Sequence, residues 1–210
     1  MSFEQIKETI EESFLSNLNL IHSTTGDGRL DSAESEDTVI QHLQELFQDS
    51  DICVEKAPAR YWYDIAFKCE EQTYYANIKI TSGTQADNIS SKLGLFYALT
   101  GILPTDVKDV NLNHWGPYNR KLLANLNYNC DADYYFIVYF KDSESFLVTS
   151  LKRIQTLTPN GSNLPFQCKW SENDVFSTRT SEEQSKYLMD TYYDSCLKKV
   201  AGFEPLIKWR

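Results

Sequence analysis

The stretch that most constrains this chain runs from Trp62 to Lys79, WYDIAFKCEEQTYYANIK. Two short apolar runs, YDIAF and TYYANIKI, flank the polar segment CEEQ, a pattern that predicts a β-hairpin. Side chains two apart on a strand share a face, so Asn77 and Lys79 point the same way. Pairing of the two runs lets Asp64 join them. A carboxylate, an amide oxygen and a lysine suit metal-assisted phosphodiester hydrolysis. The oxygens are hard ligands for a divalent cation, and the lysine meets charge developing on the phosphoryl group. The bland alternative is a cross-strand ion pair between Asp64 and Lys79, worth little at a surface.

The remaining chain reads as α/β. Phe3, Ile6, Ile10, Phe14 and Leu18 have helical spacing. STTGDGRLDSAES follows as a polar, turn-forming loop. A second helix is expected from about Ser35 to Gln48, with Val39, Ile40, Leu43, Leu46 and Phe47 as its buried stripe. Acids gather at its start. They suit the helix dipole and caps, or one of them turns into the hairpin site. Glu34 and Asp37 are three apart and share a face, while Glu36 lies closer to the apolar stripe; the sequence does not choose among them.

Short strands are expected at ICVEKA, YDIAF and TYYANIKI, then a Ser-Gly-Thr-Gln loop. A helix from Asn88, which would cap it, ends at Gly101 and Pro104. Lys92 reads as a solvated helix residue or a phosphate contact. NHWGPYNRKLLANLNYN is turn-rich and then briefly helical, with Arg120 and Lys121 as candidate phosphate contacts. His114 beside Trp115 has no partner motif and stays outside the site. DADYYFIVYFK, apolar on both faces, is the central strand, and SESFLVTSLKRI is a strand running into a short helix. A Pro-Asn-Gly turn then leads to the strand around Phe166. A closing helix follows, capped by Thr180 or Ser181 with Glu182 and Glu183 in its first turn.

The 210 residues are most simply one domain with a sizeable core, and a hydrophobic content of 41% with 13 Tyr and 11 Phe argues against disorder. No 18-residue apolar run is present, so no membrane span is expected. The acidic, amphipathic start is unlike a secretion signal. Five scattered cysteines without a CxxC pair favour reduced thiols and a cytoplasmic location. The net charge of -10 argues against a promiscuous DNA coat. It leaves room for an enzyme that concentrates Lys and Arg in one cleft.

Three segments together resemble the blunt-cutting, EcoRV/HincII-like type II restriction endonucleases of the PD-(D/E)xK superfamily. Asp64 with Asn77-Ile78-Lys79 is similar to the catalytic aspartate and (D/E)xK strand. Gln85-Ala86-Asp87-Asn88-Ile89 is similar to a loop with which such enzymes enter DNA. Phe166-Gln167-Cys168-Lys169, then Thr178-Arg179-Thr180 and a helix, is similar to the ends of related blunt cutters. The pieces keep their order over most of residues 30–200. The departure is Asn77, where the family mostly has Asp or Glu, leaving one fewer negative charge for metal.

The resemblance implies a restriction-endonuclease-like central mixed β-sheet flanked by helices, in one nuclease domain over residues 1–210. The catalytic core would span about 30–150, with the DNA-reading loops and closing helix over about 155–200. It implies Mg²⁺-dependent cleavage of double-stranded DNA at a short palindrome by a homodimer, with a DNA methyltransferase as genetic partner only. Asp64, Asn77 and Lys79 would be catalytic, and Asp64, Asn77, Glu34 and Asp37 the metal ligands. Gln85, Asn88, Gln167 and Lys169 would approach the bases, and Arg179 a phosphate. A repair or recombination nuclease of the same fold and a non-catalytic α/β binding module are the alternatives.

Overall fold

A computed structural model describes residues 2–16, 28–70, 72–83, 85–89, 91–143 and 145–203, without the side chains of 14–16 and 28–35. The chain forms two compact units. The first comprises Met1–Gly83 and Tyr135–Thr149, the second Thr84–Tyr134 and Ser150–Arg210.

The first unit is a five-stranded mixed sheet with two helices. Helices α1 (Phe3–Ser16) and α2 (Gly28–Leu46) precede strands β1 (Cys53–Lys56), β2 (Ile65–Lys68) and β3 (Thr73–Thr81). β5 (Tyr135–Phe140) and β6 (Ser145–Ser150) complete the sheet, in the order β1-β2-β3-β5-β6. β1–β2 and β2–β3 are antiparallel, and β3–β5 is parallel. Parallel neighbours need a long crossover, and here the crossover leaves the unit entirely: residues 84–134 belong to the second unit. The expected hairpin thus forms, and the YYFIVYF run is central, lying between β3 and β6 with Phe136–Tyr139 buried.

Helical spacing sets what packs on the sheet. Phe3, Ile6 and Ile10 of α1, Val39, Ile40 and Leu43 of α2, and Phe47 just after it are buried in one cluster. Beneath them lie Ile65 and Phe67 of β2, Tyr74, Ala76 and Ile78 of β3, Ile137 and Val148. Truncating a fully buried member such as Leu43 to Ala costs about 2–5 kcal/mol in sites of this kind. The helix α2 begins seven residues before the position expected from the sequence, inside the supposed loop. Arg29, Leu30, Ala33 and Glu34 are good helix formers and outweigh the scattered Asp and Ser.

The second unit holds β4 (Asp87–Ile89), α3 (Lys92–Thr100), α4 (Trp115–Asn125), β7 (Thr158–Pro159), β8 (Phe166–Cys168) and α5 (Ser181–Ala201). Its sheet has the order β4-β8-β7, antiparallel throughout. Asn88 lies in β4 instead of opening the helix; the cap of α3 is Ser91, whose hydroxyl accepts from the Gly94 N–H. The helix ends as expected at Gly101, left-handed at φ 71°. The short helix expected after β6 is reduced to a single turn closed by the Ile154 N–H on the Ser150 carbonyl. Thr180 caps α5 in a capping box with Glu183. All five cysteines are free. Among the described residues no helix is long and apolar enough to cross a membrane.

Candidate active site

The hairpin carries the site because β3 divides its residues by face. Tyr74, Ala76 and Ile78 enter the helix-covered core, while Tyr75, Asn77 and Lys79 are half-buried on the alternate positions. Asp64 sits one residue before β2 and is fixed three ways. Its N–H donates to the Ala76 carbonyl (2.9 Å), and its own carbonyl accepts from the Ala57 N–H (2.8 Å). Its carboxylate Oδ2 accepts from the Ile78 N–H at 2.8 Å. Ala76 is also the register partner of Ile65, so two residues of one strand oppose one of the other, the count of a β-bulge. Bulges re-aim side chains next to functional sites.

Burial raises the Asp64 carboxyl above the usual carboxylate range, against the Ile78 N–H and the Lys79 charge, which pull it down. Glu36 of α2 meets the same field. Burial raises its carboxyl most, and repulsion from Asp64 raises it further; Lys79 and Lys56 oppose that, while Asp37 adds to it. The carboxylates of Glu36 and Asp64 therefore share one environment with Lys79. They line a cleft of ≈ 400 Å³ with Asp37, Lys56, Arg60 and Tyr61. The Asn77 Oδ1 is buried and has no hydrogen-bond partner among the described residues. A buried acceptor left this way costs about 1–3 kcal/mol unless something satisfies it.

Of the acids expected to join Asp64, the structure places Glu36 there. Asp37 borders the cleft but is exposed and bound to Lys56 Nζ at 2.7 Å. The side chain of Glu34 lies outside the described residues. The signal was present in the sequence: Glu36 precedes Ile40 by four and Leu43 by seven, so it extends the buried stripe by one turn. The ion pair between Asp64 and Lys79 that a purely structural hairpin would make does not form; the Asp64 carboxylate takes the Ile78 N–H instead. Among the described residues no three His, Cys, Asp or Glu side chains gather around one point. The oxygens that line the cleft are the carboxylates of Glu36, Asp37 and Asp64.

The residues expected to read DNA all lie in the second unit. Asn88 and Gln167 are directly opposite in register, and Gln167 Nε2 donates to Asn88 Oδ1 at 3.1 Å. Asn160, which the sequence offered only as part of a turn, also donates to that oxygen, at 2.7 Å. Thr158 is the partner of Gln167 on its other side, so a polar row crosses the three strands while Ile89, Phe166 and Cys168 are buried on the alternate positions. Gln85 is exposed. Lys169 is exposed and pairs with Glu172 at 3.3 Å.

Arg179 is held within the protein. Its Nη1 donates to Gln155 O, Ser177 Oγ and Gln184 Oε1, and its guanidinium lies 4.0 Å from the Tyr187 ring centroid. Lys92 is not solvated: it is buried, donates to Leu112 O and Asn113 O, and lies over the Trp115 and Tyr118 rings. Lys121 pairs with Asp109 at 2.8 Å. His114 occupies the cap position of α4 without a capping hydrogen bond. No protein-family model and no curated protein matches this chain.

Proposed function

We propose that this protein is a Mg²⁺-dependent, site-specific deoxyribonuclease with a restriction-endonuclease-like core, acting on double-stranded DNA. The observation that carries the reading is the cleft lined by both Asp64 and Glu36, each carboxyl within reach of the Lys79 charge, on a hairpin whose β3 also carries the buried, unpartnered Asn77 Oδ1. Two carboxylates and an amide oxygen fit a hard divalent cation, which keeps several waters and takes one or two carboxylates. Asp64 and Glu36 would hold it, with Asn77 as a neutral ligand. Such an ion, when bound, polarises a scissile phosphate and acidifies a bound water.

The chain's own residues do the rest. The Ile78 N–H orients the Asp64 carboxylate, and the bulge fixes it relative to β3. Lys79, whose charge acts on both acids, would supply a positive charge where the phosphoryl oxygens become more negative. Asn88, Gln167 and Asn160 present amide donors and acceptors of the kind that pair with adenine edges, and Lys169 a donor for guanine. A two-fold homodimer would match a palindromic site. A DNA methyltransferase would be its genetic partner, and the cytoplasm its location.

The test is incubation of purified protein with unmethylated phage DNA and Mg²⁺, alongside Lys79→Ala. Discrete fragments are expected from the wild type, with the variant slower by about 10²–10³-fold, the loss typical of one removed charge-stabilising group. A smear would point to a nuclease without sequence preference. Intact DNA across several genomes and metals would sink the enzyme reading and favour the binding module.

A further inference from the structure

The rim of the Asp64 cleft is a loop closed at its base by the Ala57–Asp64 hydrogen bond (2.8 Å). Inside it, the Tyr61 N–H donates to the Pro58 carbonyl (3.1 Å), making a four-residue turn. Its third residue is Arg60, at φ 63°, the one residue other than glycine with positive φ among the described residues. A turn of this type favours Gly or Asn at that position, because a Cβ crowds the backbone there. Left-handed outliers of larger residues concentrate at functional sites.

The loop is also packed by its aromatic side chains. Tyr61 and Tyr63 meet edge-on at 5.0 Å, and Tyr63 and Trp62 lie 4.7 and 4.8 Å from Tyr75 of β3. Trp62 is buried. The cleft's charges then sort themselves. Lys56 is neutralised by Asp37, and Lys79 is not among the residues that line the cleft. Arg60 is exposed, lines the cleft and makes no ion pair or hydrogen bond through its guanidinium among the described residues.

We propose that Arg60 is a phosphate clamp: its guanidinium, presented by the turn at the cleft rim, grips a phosphate oxyanion of the substrate beside Asp64 and Glu36. This rests on the nuclease reading for the identity of the substrate, though not for the chemistry of the anion. A planar guanidinium binds a phosphate bidentately, which a lysine cannot do. In a chain of net charge -10, a polyanion entering between two carboxylates needs such a counter-charge. A loop already closed by hydrogen bonds and packed on β3 leaves less backbone to order on binding.

The experiment uses the full chain and its Arg60→Ala, Arg60→Lys and Arg60→Gly variants. Binding of inorganic pyrophosphate in Ca²⁺ is measured by calorimetry, DNA cleavage in Mg²⁺ by steady-state kinetics, and folding by thermal melting. Arg60→Ala and Arg60→Gly should weaken pyrophosphate binding and raise KM for DNA by about tenfold or more, the loss of a charged hydrogen-bonded contact. Arg60→Lys should recover part of both. Arg60→Gly should not lower the melting temperature, since glycine suits the left-handed turn, so its losses are not losses of fold. If the wild type cuts DNA and both variants bind and cut equally well, the clamp is overturned and the nuclease reading stands. If the wild type cuts no DNA but pyrophosphate binding needs Arg60, the clamp stands and the nuclease reading falls. If the wild type neither cuts nor binds pyrophosphate, both fall.

Discussion

At the scale of the residue, the Asp64 and Glu36 carboxyls share an environment that works against their ionisation. Burial raises both above the usual carboxylate range, and repulsion from Asp64 raises Glu36 further. A group whose folded pKa is raised holds its proton more tightly in the folded state. Metal-free protein should therefore gain stability from this pair as pH falls from neutral through the raised values. The gain is complete below the unfolded value of about 4. Asp64→Asn and Glu36→Gln should each flatten that slope and raise the melting temperature at neutral pH without metal. In Asp64→Asn the amide oxygen can still accept the Ile78 N–H, so the bulge survives the change. Ca²⁺ should stabilise the wild type, by about 2.7 kcal/mol at a hundred times its Kd, and should fail to stabilise Asp64→Asn. Thermal melts at several pH values, with and without Ca²⁺, check this. A variant that melts lower at neutral pH would mean that the carboxylate serves a structural contact and not a ligand site.

At the scale of the element, the ends of strands matter more than their middles. Gly83 follows β3 at φ 77°, and a Cβ there would lie 2.7 Å from the Phe140 ring. Its N–H also donates to Thr81 Oγ1 at 3.1 Å. Gly83→Ala should cost about 1–2 kcal/mol from the backbone alone, lowering the melting temperature by roughly 2–8 °C for a chain of this size. An unchanged melt would show that the chain leaves β3 by another path. Elements with strong periodic signals were legible in the sequence: the β2–β3 hairpin, the doubly buried β5 and the capped α5. That Asn77 and Lys79 share a face of β3 was legible because period-two alternation assigns strand faces without any tertiary information; the bulge at Asp64, which breaks that alternation, was not. Choosing Glu36 needed the helix phase carried one turn beyond the last apolar residue. β4 was missed because a three-residue strand followed by a Ser cap reads like a helix start. Arg60 was invisible, since nothing in PAR announces a left-handed arginine. The pairing of Asn88, Gln167 and Asn160 depends on strand register between segments more than seventy residues apart, which no local pattern encodes.

At the scale of the molecule, and on the proposed nuclease reading, charge would set the conditions under which DNA is held. The chain carries a formal -10, and the cleft adds Glu36, Asp37 and Asp64 to the surface that a phosphate would approach. Repulsion between those acids and DNA should make binding weak in EDTA. Neutralising them with Ca²⁺ should tighten a cognate duplex by tenfold or more, about 1.4 kcal/mol. Removing one charge by Asp64→Asn should tighten binding in EDTA as well, even as it abolishes the proposed cleavage, because on that reading affinity and chemistry draw on the same carboxylate with opposite sign. Fluorescence anisotropy with a labelled duplex, at fixed ionic strength because phosphate contacts are steeply salt-dependent, measures both. Equal affinity in EDTA and Ca²⁺ for both proteins would mean that DNA does not approach the carboxylates at all. The polar row of Asn88, Gln167 and Asn160 would then have to account for any binding by itself.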